Sequence, residues 1–129
     1  MEKSNKRTVL ITGATGFVGK NLVKKMYLQK QHSITLISRD DKKIHKIFND
    51  DIDFIKSNDP QFKEKITRIN PEVVIHLASY LSSKNDEDTI KNLLAANIEF
   101  GTRLLDSIKD LNVKFFINTG TSTEYFYND

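Results

Sequence analysis

The sequence predicts an α/β fold: a doubly wound parallel sheet of five strands in the order 3-2-1-4-5, with helices on both faces. Three observations predict it. Short β-branched runs alternate with longer segments of helical period along the chain. The strand segments are apolar almost throughout, as expected of a sheet covered on both sides. A glycine-rich turn joins the first strand to the first helix, the place where such folds make their tightest connection.

Thr8–Thr12 reads as the first strand and Gly16–Lys30 as the first helix, with Phe17, Val18, Leu22, Val23, Met26 and Tyr27 near the helical period. Ser33–Ser38 is the second strand. Asp40–Asn49 is a short charged helix carrying Ile44, Ile47 and Phe48, and Ile52–Ile55 is a short third strand. Asp59–Ile69 reads as a helix with Asp59 as N-cap and Pro60 at its first position; Phe62, Ile66 and Ile69 share one face and Pro71 ends it. Val73–Ala78 is the fourth strand, apolar except for His76. Asp86–Leu111 carries one long helix, with Ile90, Leu93, Leu94, Ile98, Leu104, Leu105 and Ile108 on its buried side and Gly101 as a point of bending. Lys114–Thr119 is the fifth strand.

A chain of 129 residues suits one domain, 1–129, and can bury one core. With 38% hydrophobic and 29% charged residues it reads as globular rather than disordered. There is no cysteine, so disulfides and thiolate metal sites are excluded, and no metal site is expected. The apolar runs are strand-length, too short for a membrane span, and Met1–Arg7 lacks the apolar core of a signal peptide. A cytoplasmic location is the expectation. The net charge of +3 comes from lysines scattered over the whole chain, which reads as a solvated surface and not a nucleic-acid stripe.

Thr12-Gly13-Ala14-Thr15-Gly16-Phe17-Val18-Gly19 is the most informative segment. In such a loop the first glycine takes a positive φ, the second removes a Cβ where a pyrophosphate must approach, and the third lets the helix pack closely. The helix N-terminus then offers free N–H groups to an anion. The competing phosphate loop, G-x-x-x-x-G-K-[ST], fails twice: position 14 is alanine and position 21 is asparagine, so the magnesium-holding hydroxyl is missing.

Thr12 to Gly19 matches the T-G-x-x-G-F-[IV]-G fingerprint, and the chain from its first strand to Tyr125 resembles the N-terminal part of the extended short-chain dehydrogenase/reductases. These are Rossmann-type enzymes that include nucleotide-sugar epimerases, dehydratases and reductases. The resemblance implies cofactor contacts by Gly13, Thr15, Gly16, Phe17, Val18 and Gly19. Asn58-Asp59 resembles the family's Gly-Asp after the third strand, whose aspartate meets the adenine amino group; Asn58 replaces the glycine, and Asp59 also reads as a plain helix cap. Val74 to Ser79 resembles the H-x-A-A strand, so Leu77, Ala78 and Ser79 are expected beside ribose and pyrophosphate. His76 reads as a hydrogen-bonded core residue. Asn97, followed by Gly101-Thr102, resembles the asparagine of the fourth helix; its alternative is a bond to local backbone at a helix irregularity. Phe116 to Tyr125 resembles the F-S-S-S-x-x-V-Y segment, which puts Thr121 in the place of the catalytic Ser/Thr and Thr123 at a substrate contact.

The ribose selector lies about twenty residues past the glycine loop, at the end of the second strand. Ser38 and Arg39 stand there, and the pair favours NADP over NAD because Arg39 can meet a 2′-phosphate. Asp40 and Asp41 read as caps of the next helix. The family's reaction implies a Tyr-x-x-x-Lys pair on a helix after the fifth strand. Here Tyr80 and Lys84 have that spacing but follow the fourth strand, and read as a loop. The sequence therefore predicts a truncated Rossmann domain without the catalytic helix, the last strands or the C-terminal substrate domain, binding a dinucleotide and probing no chemistry alone. A nucleotide-sugar substrate belongs to the full-length enzyme. The alternative is a non-catalytic NAD(P)-binding or sensing module; a purely structural protein is disfavoured by the intact glycine fingerprint. An uncovered fifth strand is expected to expose apolar surface and favour self-association.

Overall fold

The computed structural model describes residues 6–48 and 51–121. Five parallel strands form one sheet in the order β3-β2-β1-β4-β5: β1 (Arg7–Thr12), β2 (His32–Ser38), β3 (Asp53–Lys56), β4 (Val73–His76) and β5 (Phe115–Asn118). The expected order is the observed one. β1 is flanked by β2 and β4, and its last residue, Thr12, lies opposite Ile37 on one side and His76 on the other. The connection from β3 crosses the sheet to β4, so the strand order reverses beside β1. That leaves a crevice above the carboxyl ends of β1 and β4.

Alternation along the strands sends successive side chains to opposite faces. Val9, Ile11, Leu36 and Ile75 face α1 (Phe17–Gln29) and α2 (Asp41–Phe48), where Val23 and Ile44 are buried against them. Leu10, Ile37, Ile55 and Val74 face α3 (Phe62–Ile69) and α5 (Phe100–Ile108), meeting Phe62, Ile66, Leu104 and Ile108. The apolar strands are thus explained by a core on each face.

Three local expectations need correction. The helix expected from Asp59 begins at Phe62 with Gln61 as its N-cap. Asp59 instead opens a turn: its Oδ1 accepts from the Gln61 N–H at 2.8 Å and its carbonyl from the Phe62 N–H at 3.0 Å, a bonding choice that competes with helix. The long helix over 86–111 is three pieces: α4 (Glu87–Leu94), a π-helical segment (Ala95–Glu99) and α5. The irregularity is this wide turn, closed by the Phe100 N–H on the Ala95 carbonyl, and Gly101 lies in regular helix after it. Finally, only the second half of that helix packs on the sheet. Leu104 and Ile108 are buried, but Ile90, Leu94, Ile98 and Leu105 are exposed, because the period marks an apolar stripe without saying what lies beneath it. All four residues of β5 are exposed, as expected of an uncovered strand.

Candidate functional site

The crevice is a cavity of about 510 Å³. Its lining comes from five places: the loop and first turn after β1 (Gly13, Thr15, Gly16, Phe17, Val18, Gly19), the end of β2 (Ile37, Ser38, Arg39), the turn after β3 (Ser57, Asn58), the segment after β4 (Leu77, Ala78, Ser79), and the π segment with α5 (Ala95, Ala96, Glu99, Phe100, Arg103).

The three glycines are required for different reasons. Gly13 has φ +74°, and a Cβ there would stand 2.6 Å from the Ala78 nitrogen. A Cβ on Gly19 would stand 2.2 Å from the Gly13 carbonyl oxygen, so the helix approaches its own loop and not just the strand. Gly16 is open: its nearest neighbour would be the Gly13 carbonyl oxygen at 3.4 Å. The free space at Gly16 belongs to the cavity.

The start of α1 differs from those of α2 and α4. Asp86 caps α4 by accepting from the Thr89 N–H at 2.8 Å, and Asp40 accepts from the Lys43 N–H at 3.2 Å at the start of α2. No side chain caps α1, and no acidic residue stands in its first turn. Its free N–H groups and partial positive charge therefore face the cavity uncompensated.

A part-buried hydrogen-bond chain joins the ends of β1 and β4. Thr12 Oγ1 accepts from the Ala78 N–H at 3.1 Å and lies 2.7 Å from His76 Nδ1. Thr12 Oγ1 and His76 Nδ1 share this hydrogen bond, its direction set by the imidazole tautomer. This is the hydrogen-bonded histidine the sequence suggests. Burial holds its pKa below the ordinary 6.5. The unfolded chain then takes up a proton near pH 6.5 that the folded chain refuses, so stability is full above that pH and falls as pH drops below it. Urea melts from pH 7.5 to 5.5 are expected to show this decline, and His76→Gln to flatten it; an unchanged slope in the variant would refute the assignment.

Charges near the β2 and β3 ends are mostly committed. Asp41 pairs with Lys56 at 2.7 Å, and that bond holds its carboxyl below the usual range. Asp59 is held low by Lys65 and by the Gln61 N–H, and it lies outside the cavity lining; Ser57 and Asn58 form the wall there. Ser38 Oγ accepts from the Asp40 N–H at 3.2 Å. Arg39 and Arg103, by contrast, pair with no carboxylate among the described residues.

Asn97 sits in the π segment, and its amide clasps the loop after β4. Its Oδ1 accepts from the Tyr80 N–H at 2.8 Å and its Nδ2 donates to the Tyr80 carbonyl at 2.9 Å. This is the backbone-bonding alternative, with a partner in another segment. Tyr80 and Lys84 do not line the cavity, nor does Thr121, which is exposed beyond β5; Thr123 lies outside the described residues. Glu99, Phe100 and Arg103 were missed by sequence reasoning. Their spacing, with Ala95 and Ala96, is that of one helix face, beside the apolar stripe from Ile90 to Ile108 that the sequence marks as buried.

The fold and cavity define a Rossmann-type nucleotide-binding domain. The chain belongs to the NAD dependent epimerase/dehydratase family, whose model matches residues 9–126. It is 28% identical over 119 residues to UDP-glucose 4-epimerase of Mycolicibacterium smegmatis, covering 87% of this chain and 38% of that protein. It is 30% identical over 122 residues to human fatty acyl-CoA reductase 1, covering 83% of this chain and 23% of that one. The structure of UDP-glucuronic acid 4-epimerase from Bacillus cereus, in complex with UDP-glucuronic acid and NAD, superimposes with a TM-score of 0.74 at 22% identity, covering 92% of this chain and 41% of that chain. The chain thus spans well under half the length of these relatives. Among the described residues, no helix is long and apolar enough to cross a membrane.

Proposed function

We propose that this chain is the cofactor-binding part of an NAD(P)-dependent enzyme acting on a nucleotide sugar. One observation carries the cofactor reading: the start of α1, with no side-chain cap and no acidic residue in its first turn, opens onto a cavity beside Gly16, where backbone is bare. Gly13 to Gly19 cradle the pyrophosphate. Ser38 and Arg39 hold the adenosine ribose, and Asn58 stands at the base. Leu77, Ala78 and Ser79 line the path to the nicotinamide, on a loop that Asn97 positions. The bound nicotinamide supplies hydride transfer. Thr121 and Thr123 belong to the substrate side. The nucleotide-sugar reading is supported by the epimerase relatives.

Arg39, which pairs with no carboxylate among the described residues and stands beside a selector position without an acid, favours NADP. The supporting relatives carry NAD, so the preference is this chain's own property to test. Fluorescence titration with NADH and NADPH is the experiment. The wild-type chain is expected to bind both, NADPH more tightly, and Arg39→Ala to lose about tenfold for NADPH, the size of a charge-assisted hydrogen bond. Equal affinity for both would remove the NADP preference. Gly16→Leu is expected to weaken both at least about tenfold without lowering the melting temperature, because its side chain enters the cavity and not the core. Unchanged binding there would sink the cofactor reading.

A further inference from the structure

We propose that Arg103 is a platform for the purine base of the cofactor, a binding residue of the same cavity as Arg39. The inference rests on the cofactor reading above and deepens it.

Arg103 projects from α5 at the end of the face that lines the cavity. Its guanidinium carbon lies 5.1 Å from the centroid of the Phe62 ring. Phe62 is a buried ring at the first turn of α3, itself braced edge-on by Phe100 at 6.2 Å. One side of the guanidinium is therefore occupied by a fixed aromatic surface, while the side chain remains exposed and open to the cavity. No carboxylate among the described residues pairs with it; even Glu99, one turn earlier, forms no ion pair with it. A surface arginine laid on an aromatic ring and left unpaired has its outer face available for a second flat partner.

The position decides which part of a dinucleotide that partner is. The pyrophosphate belongs at Gly16 and the start of α1, and the adenosine ribose at Ser38 and Arg39. The cavity is also lined by Ser57 and Asn58, and Arg103 lines it from a seat on Phe62, the first residue of the helix after that turn. What reaches this wall is a planar base. Stacking fits it better than a hydrogen bond to the 2′-phosphate, because the guanidinium already lies over an aromatic ring and the ribose selector is elsewhere.

The test compares wild type, Arg103→Ala and Arg103→Lys by fluorescence titration with NADH and NADPH and by calorimetry with ADP-ribose. Arg103→Ala is expected to weaken all three by the same factor, about three- to tenfold, the worth of one such contact. Lysine is expected not to restore it, since an ammonium has no plane to stack. Loss confined to NADPH would overturn the platform in favour of a phosphate contact, as would full rescue by lysine. Unchanged affinity in Arg103→Ala, with the wild type binding normally, would overturn it alone. Failure of the wild-type chain to bind any of the three would remove the cofactor reading and the platform together.

Discussion

Gly19→Ala is expected to be among the most damaging single substitutions in this chain, leaving little folded protein. A methyl group at that position would stand 2.2 Å from the Gly13 carbonyl oxygen and 2.8 Å from the Ala14 Cα, both backbone atoms. No rotamer relieves a Cβ clash, so the helix must lift from the loop. Gly19 is itself buried and sits one turn before Val23, which is wholly buried in the core of that face. Lifting the helix therefore opens the packing of Val23 against the sheet. Overpacking commonly costs 1–3 kcal/mol, and a clash with backbone should exceed that, at about 3 kcal/mol or more. Gly13→Ala should behave similarly, because it adds left-handed strain at φ +74° to a clash with the Ala78 nitrogen. Gly16→Ala is the control: its new methyl meets only one atom, at 3.4 Å. Thermal melts and soluble yield of the three variants check this. A Gly19→Ala protein melting with the wild type would show that the loop is not held as described.

Thr12→Val should cost about 2–3 kcal/mol although it preserves shape. Thr12 is fully buried, and valine fills the same volume. What valine removes is the hydroxyl that accepts from the Ala78 N–H and hydrogen-bonds His76 Nδ1. Both partners then lose their bond, at about 1–3 kcal/mol for each group left unsatisfied, discounted because both are only partly buried. Thr12→Ser keeps the hydroxyl and loses one methyl, about 1 kcal/mol. Urea denaturation should therefore rank wild type above serine and serine above valine. That order is the reverse of what hydrophobic burial alone predicts, so finding valine the more stable of the two would discard the hydrogen-bond chain.

Much of this was legible in the sequence. The glycine spacing located the loop, the alternation of strand and helix gave the topology, and the pair Asp40-Asp41 announced the caps of α2, where Asp40 takes the cap position and Asp41 turns to Lys56. Each of these is local: a turn, a period, a cap. What was not legible depends on segments distant in sequence. Asp59 reads equally as a cap or as a base contact, and only the position of Lys65 and the Gln61 N–H shows where its carboxylate is engaged. The stripe from Ile90 to Leu105 has helical period, but periodicity cannot say that α4 stands clear of the sheet, with Thr89 its only buried residue.

The sequence by itself determined the strand order, the place of the crevice and the glycine loop beside it, because backbone conformation and alternation are written in near neighbours. Only the tertiary structure decided how that crevice is furnished. It set the uncapped start of α1 against it, used a π turn to bring Asn97 to the loop after β4, and laid Arg103 on Phe62 in its wall. Those arrangements depend on the relative placement of elements far apart along the chain. That placement is fixed by packing on the two faces of the sheet, and no local pattern encodes it.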